Sequence, residues 1–445
     1  MSKKAWMVVL AGVALNAALG VLYAWSMFSK QLTESVQAGG FGWTKTMATL
    51  PYTVAIACFA VMMVPAGRLQ DKLGPRVIAT IGAVLCGLGL MVASLGSPDR
   101  VWPVLVGFGA MAGTGIGLGY AAATPAAVKW YGAKKKGVVT GIVVAGFGLA
   151  PVYIAPLART LLQSQGVSNA FLIFGLIFLV VAGISAQFIN NPPPKAETEG
   201  SITPLSKASS AQDKSWREMM RSPRFWSLYL QYACGATAGL MIIGHMAKIV
   251  SEQSGGVIQA GFLFVVLLAI FNATGRVVAG FVSDLIGRVS AMLIVFVVQA
   301  TVMFFFDQFS TTAGFLLGAA LVGFNYGACL SLFPATAADY WGTKNLGLNY
   351  GILFTAWGLG GVFGPSLAGL IADRTGSYLI AYQVAGVLLS VAALLAVSSH
   401  IRLSFDRAEK QLVIAFGKPA ARSETAAEPS EEGDATLNGS LEEAS

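Results

Sequence analysis

Charge is the scarcest property of this 445-residue chain, of which 11% is Asp, Glu, Lys or Arg and 55% is hydrophobic. A soluble domain usually carries about 25% charged residues, so the composition excludes a soluble globular enzyme and a disordered scaffold. The chain has only two histidines and four cysteines, and the cysteines lie inside apolar runs without metal-ligand spacing. We therefore expect no metal site and no disulfide framework. The mean hydropathy of +0.68 indicates a membrane protein instead.

Long apolar runs are abundant. A helix needs about 20 apolar residues to cross a bilayer core, and twelve such runs are separated by charged or Gly/Pro-rich segments. The predicted spans are 6–29, 44–66, 77–96, 102–128, 137–163, 168–189, 224–247, 257–282, 289–306, 312–338, 347–372 and 378–399. We predict an all-α membrane protein with twelve transmembrane helices.

Two polar segments divide the chain. Residues 191–222 contain three consecutive prolines, several serines and mixed charges, which predicts a flexible cytoplasmic linker. This linker would join an N-terminal six-helix bundle at 1–190 to a C-terminal six-helix bundle at 223–400. Residues 401–445 are a predicted cytoplasmic tail, and its last part carries seven acids and no base after Arg422, which predicts disorder.

The basic residues indicate the orientation. With the N-terminus inside, 22 of the 29 Lys and Arg residues lie in predicted cytoplasmic segments and six lie at the outer ends. This positive-inside bias predicts a multi-pass plasma-membrane protein, in a bacterium the inner membrane, with both termini cytoplasmic. The cytoplasmic bases would face anionic lipid rather than nucleic acid. The one remaining base is Arg276.

An internal repeat relates the two halves. The segments Gly67–Arg76 and Gly280–Arg288 both have a Gly, an Asp four residues later, and then a Gly and a base. The pair Trp130-Tyr131-Gly132 and Tyr340-Trp341-Gly342 recurs at a matching offset of roughly 210 residues. Two related six-helix halves are therefore expected.

The repeated Gly-x-x-x-Asp-x-x-Gly-x-Arg loops resemble the signature of the major facilitator superfamily. The resemblance implies two pseudo-symmetric six-helix bundles with a substrate site between them near the midplane. We interpret Asp71 with Arg68, and Asp284 with Arg288, as latches that seal the cytoplasmic face in one state. The alternative is that these are charged turns that only fix topology.

Arg276 is the strongest candidate for substrate binding. It lies eight residues before Asp284, about 12 Å into the bilayer, and no predicted span has an acid at comparable depth. An unpaired Arg there costs at least about 3 kcal/mol, so we predict that a substrate anion supplies the missing charge. Asn272 lies one turn earlier on the same face and would orient the guanidinium. The alternatives are a structural Arg satisfied by carbonyls and water, and an interhelical contact for Asn272.

The stretch Phe271–Arg276, running into Gly280–Asp284, resembles the oxalate/formate antiporters and the monocarboxylate transporters. Further similar segments are Tyr23-Ala24-Trp25, Arg221–Trp226, Leu332-Phe333-Pro334 and Asn349-Tyr350-Gly351. The resemblance implies organic-anion transport with Arg276 as the carboxylate ligand. The oxalate antiporters have a Lys in span eleven where this chain has Trp357, and a single cation suits a monocarboxylate better than a dianion.

Aromatic side chains are expected to form the walls of the site, although each is also suited to plain helix packing. The candidates are Tyr23, Trp25, Phe28, Tyr120, Phe324, Tyr326, Phe354 and Trp357. The hydroxyls of Tyr120 and Tyr326 can donate to a carboxylate.

The protonation route is open. The monocarboxylate transporters usually carry an Asp where this chain has Asn272, and a Lys within span one, where this chain has none before Lys30. His245 is a candidate for proton coupling because histidine changes charge near physiological pH. The alternative is an ordinary helix-end contact.

We therefore expect a secondary active transporter of small monocarboxylates such as lactate or pyruvate, with proton symport, alternating access and a monomeric functional unit. The alternatives are organic-anion exchange such as oxalate/formate antiport, and a carboxylate sensor that does not transport. No nucleophile–base constellation and no phosphate-binding loop occurs in the sequence. Neither an enzyme nor a cofactor is expected.

Overall fold

The computed structural model describes residues 3–131, 135–193, 213–258 and 261–416, in which twelve apolar helices follow one another. We name them α1 to α12. Their bounds are Lys3–Thr33, Lys45–Leu73, Pro75–Ala93, Trp102–Lys129, 136–165, 167–187, Pro223–Ile243 with Met246–Gln253, Gly261–Ile286, Arg288–Phe304, Thr312–Trp341, Leu346–Thr375 and Leu379–Phe416. The predicted all-α fold is confirmed.

Three departures from a simple helix explain how the described residues give twelve spans. Nine helices are long and apolar enough to cross a membrane, and one of them, Lys136–Gln187, is two helices. Gly166 separates them at φ +77°, where glycine is favoured. Helix α7 is bent by 55° between its two segments, and α9 is a shorter apolar helix. The turn between α5 and α6 therefore needs only one residue outside helical geometry.

The two halves, α1–α6 and α7–α12, meet along two pairs of helices. Helix α2 packs against α11, and α5 packs against α8. Glycines allow this close approach: a Cβ added at Gly67 would overlap the backbone of Gly347, and one added at Gly280 would overlap the backbone of Gly137. Contacts between small residues of this kind permit helices to approach and slide. The same arrangement on both pairs reflects the internal repeat.

The outer faces of the helices carry large apolar side chains. Val61, Leu230 and Leu394 are each at least half exposed, as expected for surfaces that meet lipid rather than water. The inward faces of α4 and α10 are rich in buried Gly and Ala. The molecule therefore keeps its polar groups for the seam between the halves and for the helix ends.

Among the described residues, those up to His400 form one compact unit, and the part of α12 from Ile401 onward belongs to a second. Helix α12 has its membrane-length apolar part at Leu379–Ser399. Within the predicted linker, the helix Trp216–Arg221 begins at Ser215 with a capping box. Of the flexible linker predicted at 191–222, residues 194–212 lie outside the described residues, and so do residues 417–445 of the tail predicted at 401–445.

Candidate substrate-binding site

Arg276 is fully buried on α8, at the seam between the halves. Its Nε donates to Oδ1 of Asn272 at 2.8 Å, one helical turn earlier. Its Nη1 donates to the backbone carbonyl of Val144 on α5, in the opposite half. Its Nη2 is buried without a hydrogen-bond partner. The ion pairs among the described residues do not include Arg276.

Helix α5 offers Arg276 an unobstructed backbone surface. A Cβ added at Gly148 would lie 3.1 Å from Nε and 3.2 Å from Cζ of Arg276, which is tighter than ordinary packing. Val144 lies one turn before Gly148 on the same helix, so its carbonyl points along the face that Gly148 leaves open. The guanidinium therefore donates to two polar groups, Oδ1 of Asn272 and the carbonyl of Val144, and packs against Gly148. Its third nitrogen, Nη2, makes no hydrogen bond within the described residues.

Five aromatic rings from both halves form a group that we call the aromatic cluster: Phe59, Tyr120, Phe147, Phe354 and Trp357. Phe59 is at its centre. Its ring centroid lies 5.5 Å from that of Tyr120, 6.0 Å from Phe147, 5.2 Å from Phe354 and 5.3 Å from Trp357. These separations fall in the range of favourable ring pairs. The cluster gives the seam an apolar wall that a small organic molecule can pack against.

Tyrosine hydroxyls complete the surroundings of Arg276. Tyr120, Tyr232 and Tyr326 lie within electrostatic range of its guanidinium. Trp357 donates its Nε1–H to the hydroxyl oxygen of Tyr326 at 2.7 Å, so the Tyr326 proton remains available for another acceptor.

Two hydrogen-bond donors of this region are buried without a partner among the described residues: the hydroxyl of Tyr23 and Nη2 of Arg276. The hydroxyl of Tyr350 interacts instead with those of Tyr120 and Tyr232. Tyr23 and Tyr350 each interact electrostatically with Tyr120, so these groups belong to one region. Buried polar groups without partners cost free energy. A ligand rich in acceptors, such as a carboxylate, would satisfy these donors.

Most of the predicted site residues lie together. Arg276, Asn272, Tyr120, Tyr326 and Trp357 surround the seam, and Tyr23 joins them through Phe147, whose ring centroid is 5.3 Å away.

Three predicted residues lie elsewhere. Phe28 stacks on Phe171 at 4.5 Å inside the N-terminal half. Phe324 places its backbone carbonyl against Gly275, and no ring contact joins it to the aromatic cluster within the described residues. His245 lies at the bend of α7, where its Nε2 is 2.9 Å from the carbonyl oxygen of Pro365.

Sequence reasoning did not single out several residues of the region. Phe147 and Gly148 lie in a glycine-rich run, and Tyr350 lies in the segment Asn349-Tyr350-Gly351, so local pattern offered a signal for all three. Phe59 lies in an apolar run that has no motif to distinguish it. The sequence cannot indicate that the carbonyl of Val144 accepts from Arg276, because every residue has a backbone carbonyl.

The helix ends far from the bend of α7 are sealed by two carboxylates in equivalent positions. Asp71 at the end of α2 accepts hydrogen bonds from the backbone N–H of Gly347 at 3.3 Å and of Leu348 at 3.0 Å. These groups begin α11 in the other half, where unpaired N–H donors and the helix dipole favour an anion. Lys129 pairs with the same carboxylate at 3.2 Å. Arg68, which the sequence analysis paired with Asp71, is exposed, and the base that pairs with Asp71 is Lys129.

Asp284 makes the equivalent contact, with the carboxylate in the C-terminal half and the helix start in the N-terminal half. Its two oxygens accept from the backbone N–H groups of Gly137 at 3.0 Å and Val138 at 2.9 Å, at the start of α5. The guanidinium of Arg288 pairs with Asp284 at 2.7 Å, and the role of this pair as a latch stays a prediction.

Asp339 adds further ion pairs to the contact around Asp284, and no equivalent residue does so around Asp71 among the described residues. It accepts from Nε of Arg288 at 2.8 Å and pairs with Lys136 of the opposite half at 3.1 Å. The sequence analysis placed Asp339 at a helix end without assigning it a role. Lys136 therefore adds a side-chain ion pair across the seam, whereas the pair between Lys129 and Asp71 stays within one half.

Among the described residues, twelve apolar helices in two related halves, with a buried cation at their seam and equivalent carboxylate contacts at one end, define a polytopic membrane transport protein. The chain belongs to the Major Facilitator Superfamily, whose sequence profile matches residues 5–272 and 246–420. The family confirms a transporter rather than an enzyme.

Relatives with assigned roles match most of the chain. It is 29% identical to the oxalate:formate antiporter of Oxalobacter formigenes, covering 83% of this chain and 85% of that protein. It is 26% identical to monocarboxylate transporter 13 of Rattus norvegicus, covering 86% of each. Among solved structures, the proton:xylose symporter XylE superposes with a TM-score of 0.65 at 15% identity, covering 94% of this chain and 96% of that chain. The last likeness concerns the fold alone.

Proposed function

We propose that the protein is a secondary active transporter of small monocarboxylates, such as lactate or pyruvate, and that it works by proton symport with alternating access. The observation that carries the proposal is Nη2 of Arg276, which is buried without a hydrogen-bond partner among the described residues and lies within electrostatic range of Tyr120, Tyr232 and Tyr326. A carboxylate has two oxygens that accept from a guanidinium and a hydroxyl at once. Burial strengthens these hydrogen bonds because water does not compete.

The balance of charge favours one carboxylate over two. Arg276 is the cation at the aromatic cluster, and Trp357 occupies the position that resembles the span-eleven Lys of the oxalate antiporters. A second carboxylate would meet ring faces there and remain unpaired, which is costly in a dry site. A methyl, hydroxyethyl or keto group would pack against Phe59 and Trp357 instead.

Alternating access follows from the seals. Asp71 and Asp284 each bind the first turn of a helix from the opposite half, so both seals break when the halves rock apart at that end. We assign this end to the cytoplasm, with both termini inside and the protein in a plasma membrane, in a bacterium the inner membrane; the positive-inside charge bias supports this assignment. One chain contains both halves of the site, so a monomer suffices.

His245 is the proposed site of proton coupling. Its contact with the carbonyl of Pro365 joins α7 to α11, so a proton on its ring alters charge at a contact between two helices of the C-terminal half. The substrate carboxylate itself is the other group available to carry the proton, because Asn272 cannot.

The test is uptake of labelled lactate and pyruvate by proteoliposomes containing the purified protein. Arg276→Lys keeps the charge but loses the planar fork, and it should lower uptake at least about tenfold. Arg276→Ala should abolish it, while the exposed Arg374→Ala at the other end of the seam serves as a matched control. Full uptake by the Arg276→Ala variant would refute Arg276 as the ligand.

Organic-anion exchange is the second candidate, because the oxalate:formate antiporter is similar over most of the chain. Symport predicts that an inward proton gradient drives accumulation into empty vesicles. Exchange predicts uptake only into vesicles loaded with a counter-anion, whatever the pH. Saturable binding without flux in either assay would favour a sensor.

A further inference from the structure

A cleft of about 500 Å³ opens at the end of the seam opposite the sealed helix ends. Helices α1 and α2 of one half and α7 of the other contribute its walls. The lining residues are Ser29, Lys30, Thr33, Thr49, Gly244, His245, Ala247 and Lys248. Since both halves build it, the cleft exists only while this end of the transporter is open.

The charges of the cleft are positive. Lys30 comes from the end of α1 and Lys248 from α7, whereas no carboxylate is among the residues that line it. Glu252 pairs with Lys248 at 3.5 Å, but both side chains are about half exposed, and such pairs contribute little in water. The hydroxyl of Ser29 adds a neutral group that can donate to an anion, whereas the hydroxyl of Thr33 donates to the backbone carbonyl of Lys30 at 2.8 Å.

The cleft leads toward the buried cation. Lys30 lies seven residues after Tyr23, so the two share a face of α1, and Thr49 lies one turn before Tyr52 on α2. Tyr23 interacts electrostatically with Tyr52, Tyr120 and Tyr326. We therefore take these tyrosines to lie between Lys30 and Lys248 of the cleft and the buried Arg276.

We propose that this cleft is a first binding site for carboxylate anions, which Lys30 and Lys248 capture before the substrate reaches Arg276. The proposal rests on the proposed function, because it assigns the same class of substrate to a second site that the substrate meets before Arg276. The site binds by charge and hydroxyl contacts without excluding water, so it is weaker than the buried site and sensitive to salt. A cleft lined by one sign of charge raises the local concentration of the oppositely charged ligand.

The first experiment separates capture from translocation. Lys30→Gln, Lys248→Gln and the double variant are assayed for carboxylate uptake in proteoliposomes at low and high ionic strength. We expect the double variant to raise KM by about three- to tenfold at low salt with unchanged kcat, and the difference to shrink in high salt. Arg159→Gln removes an exposed base at the same end outside the cleft and should leave KM unchanged.

The second experiment detects binding without transport. A membrane-impermeant amine reagent labels Lys30 and Lys248 in the Arg276→Ala variant, with and without lactate. Slower labelling in lactate, but not in an equal concentration of a neutral analogue such as lactamide, supports an independent anion site. Unchanged labelling together with an unchanged KM in the double lysine variant would overturn the proposal. Transport by Arg276→Ala would overturn the proposed function instead.

Discussion

Trp357 donates its indole N–H to the hydroxyl oxygen of Tyr326 at 2.7 Å, and both side chains are buried. The bond fixes Tyr326 as a donor toward the seam, because its oxygen already accepts from Trp357. Trp357 thus orients a neutral hydroxyl. At this point the seam offers a directional hydrogen bond and no positive charge.

Trp357→Lys should shift selectivity toward dicarboxylates. A second cation opposite Arg276 would pair with the second carboxylate of oxalate or malonate, while the apolar wall for a monocarboxylate is lost. We expect the ratio of oxalate to lactate uptake to rise by at least tenfold in competition assays.

Trp357→Phe is the matched control for this change, since it keeps a ring and removes only the N–H donor. It should lower lactate affinity about threefold to tenfold, the cost of one lost orienting hydrogen bond. It should leave the oxalate-to-lactate ratio unaltered. A similar shift of the ratio in both variants would contradict the role of the introduced charge.

Gly148→Ala should weaken substrate binding by displacing Arg276. The added methyl would lie 3.1 Å from Nε, so the guanidinium must move away from α5. Gly183→Ala places the same methyl where no atom lies within 4 Å and serves as the control. We expect Gly148→Ala to raise KM about tenfold, or ~1.4 kcal/mol, while the thermal unfolding midpoint shifts by less than a few degrees. An unchanged KM would show that Arg276 does not need this surface.

Lys136→Gln should open the sealed end more than Lys129→Gln does. The first variant removes an ion pair between the halves, and the second removes one inside a half. Partly exposed pairs are each worth up to about 1 kcal/mol, so the open population should rise severalfold only for Lys136→Gln. Spin labels at the exposed positions 76 and 344, one in each half, report the opening as a second distance peak. Equal peaks in both variants would mean that the pair across the seam is not special.

His245→Gln should uncouple uptake from the proton gradient. Glutamine retains a donor for the carbonyl of Pro365 and cannot titrate, so the contact between α7 and α11 survives without the charge change. We expect counterflow to persist while accumulation driven by an inward proton gradient falls to the level seen without a gradient. Intact accumulation would assign the proton to the substrate carboxylate alone.

The sequence was informative wherever a residue type is anomalous in its surroundings. A lone Arg deep in an apolar run and an Asp repeated at helix ends stand out by composition, so Arg276, Asp71 and Asp284 were predictable. Twelve runs of apolar residues predicted twelve helices for the same reason.

Residues whose role depends on packing were not predictable. Phe59 is one of 26 phenylalanines. The packing of α2 inside its own half brings it to Tyr120 and Phe147, and the approach of α2 to α11 brings it to Phe354 and Trp357. Phe28 shows the converse, since its position beside Tyr23 and Trp25 in the sequence does not bring it to Arg276. The partner of Asp71 also depended on the fold, because Lys129 reaches it from 58 residues away.

The seals at Asp71 and Asp284 rest on backbone amides rather than on partner side chains. Drift in the side chains at positions 138 and 348 therefore leaves them intact, and a compensating change in the opposite half is never required. This tolerance does not extend to Gly137 and Gly347, where an added Cβ would overlap the backbone of the opposite half. Proline at position 138 or 348 has no backbone N–H, so it would remove a donor to Asp284 or Asp71. This end of the transporter would then close incompletely, whichever substrate it carries.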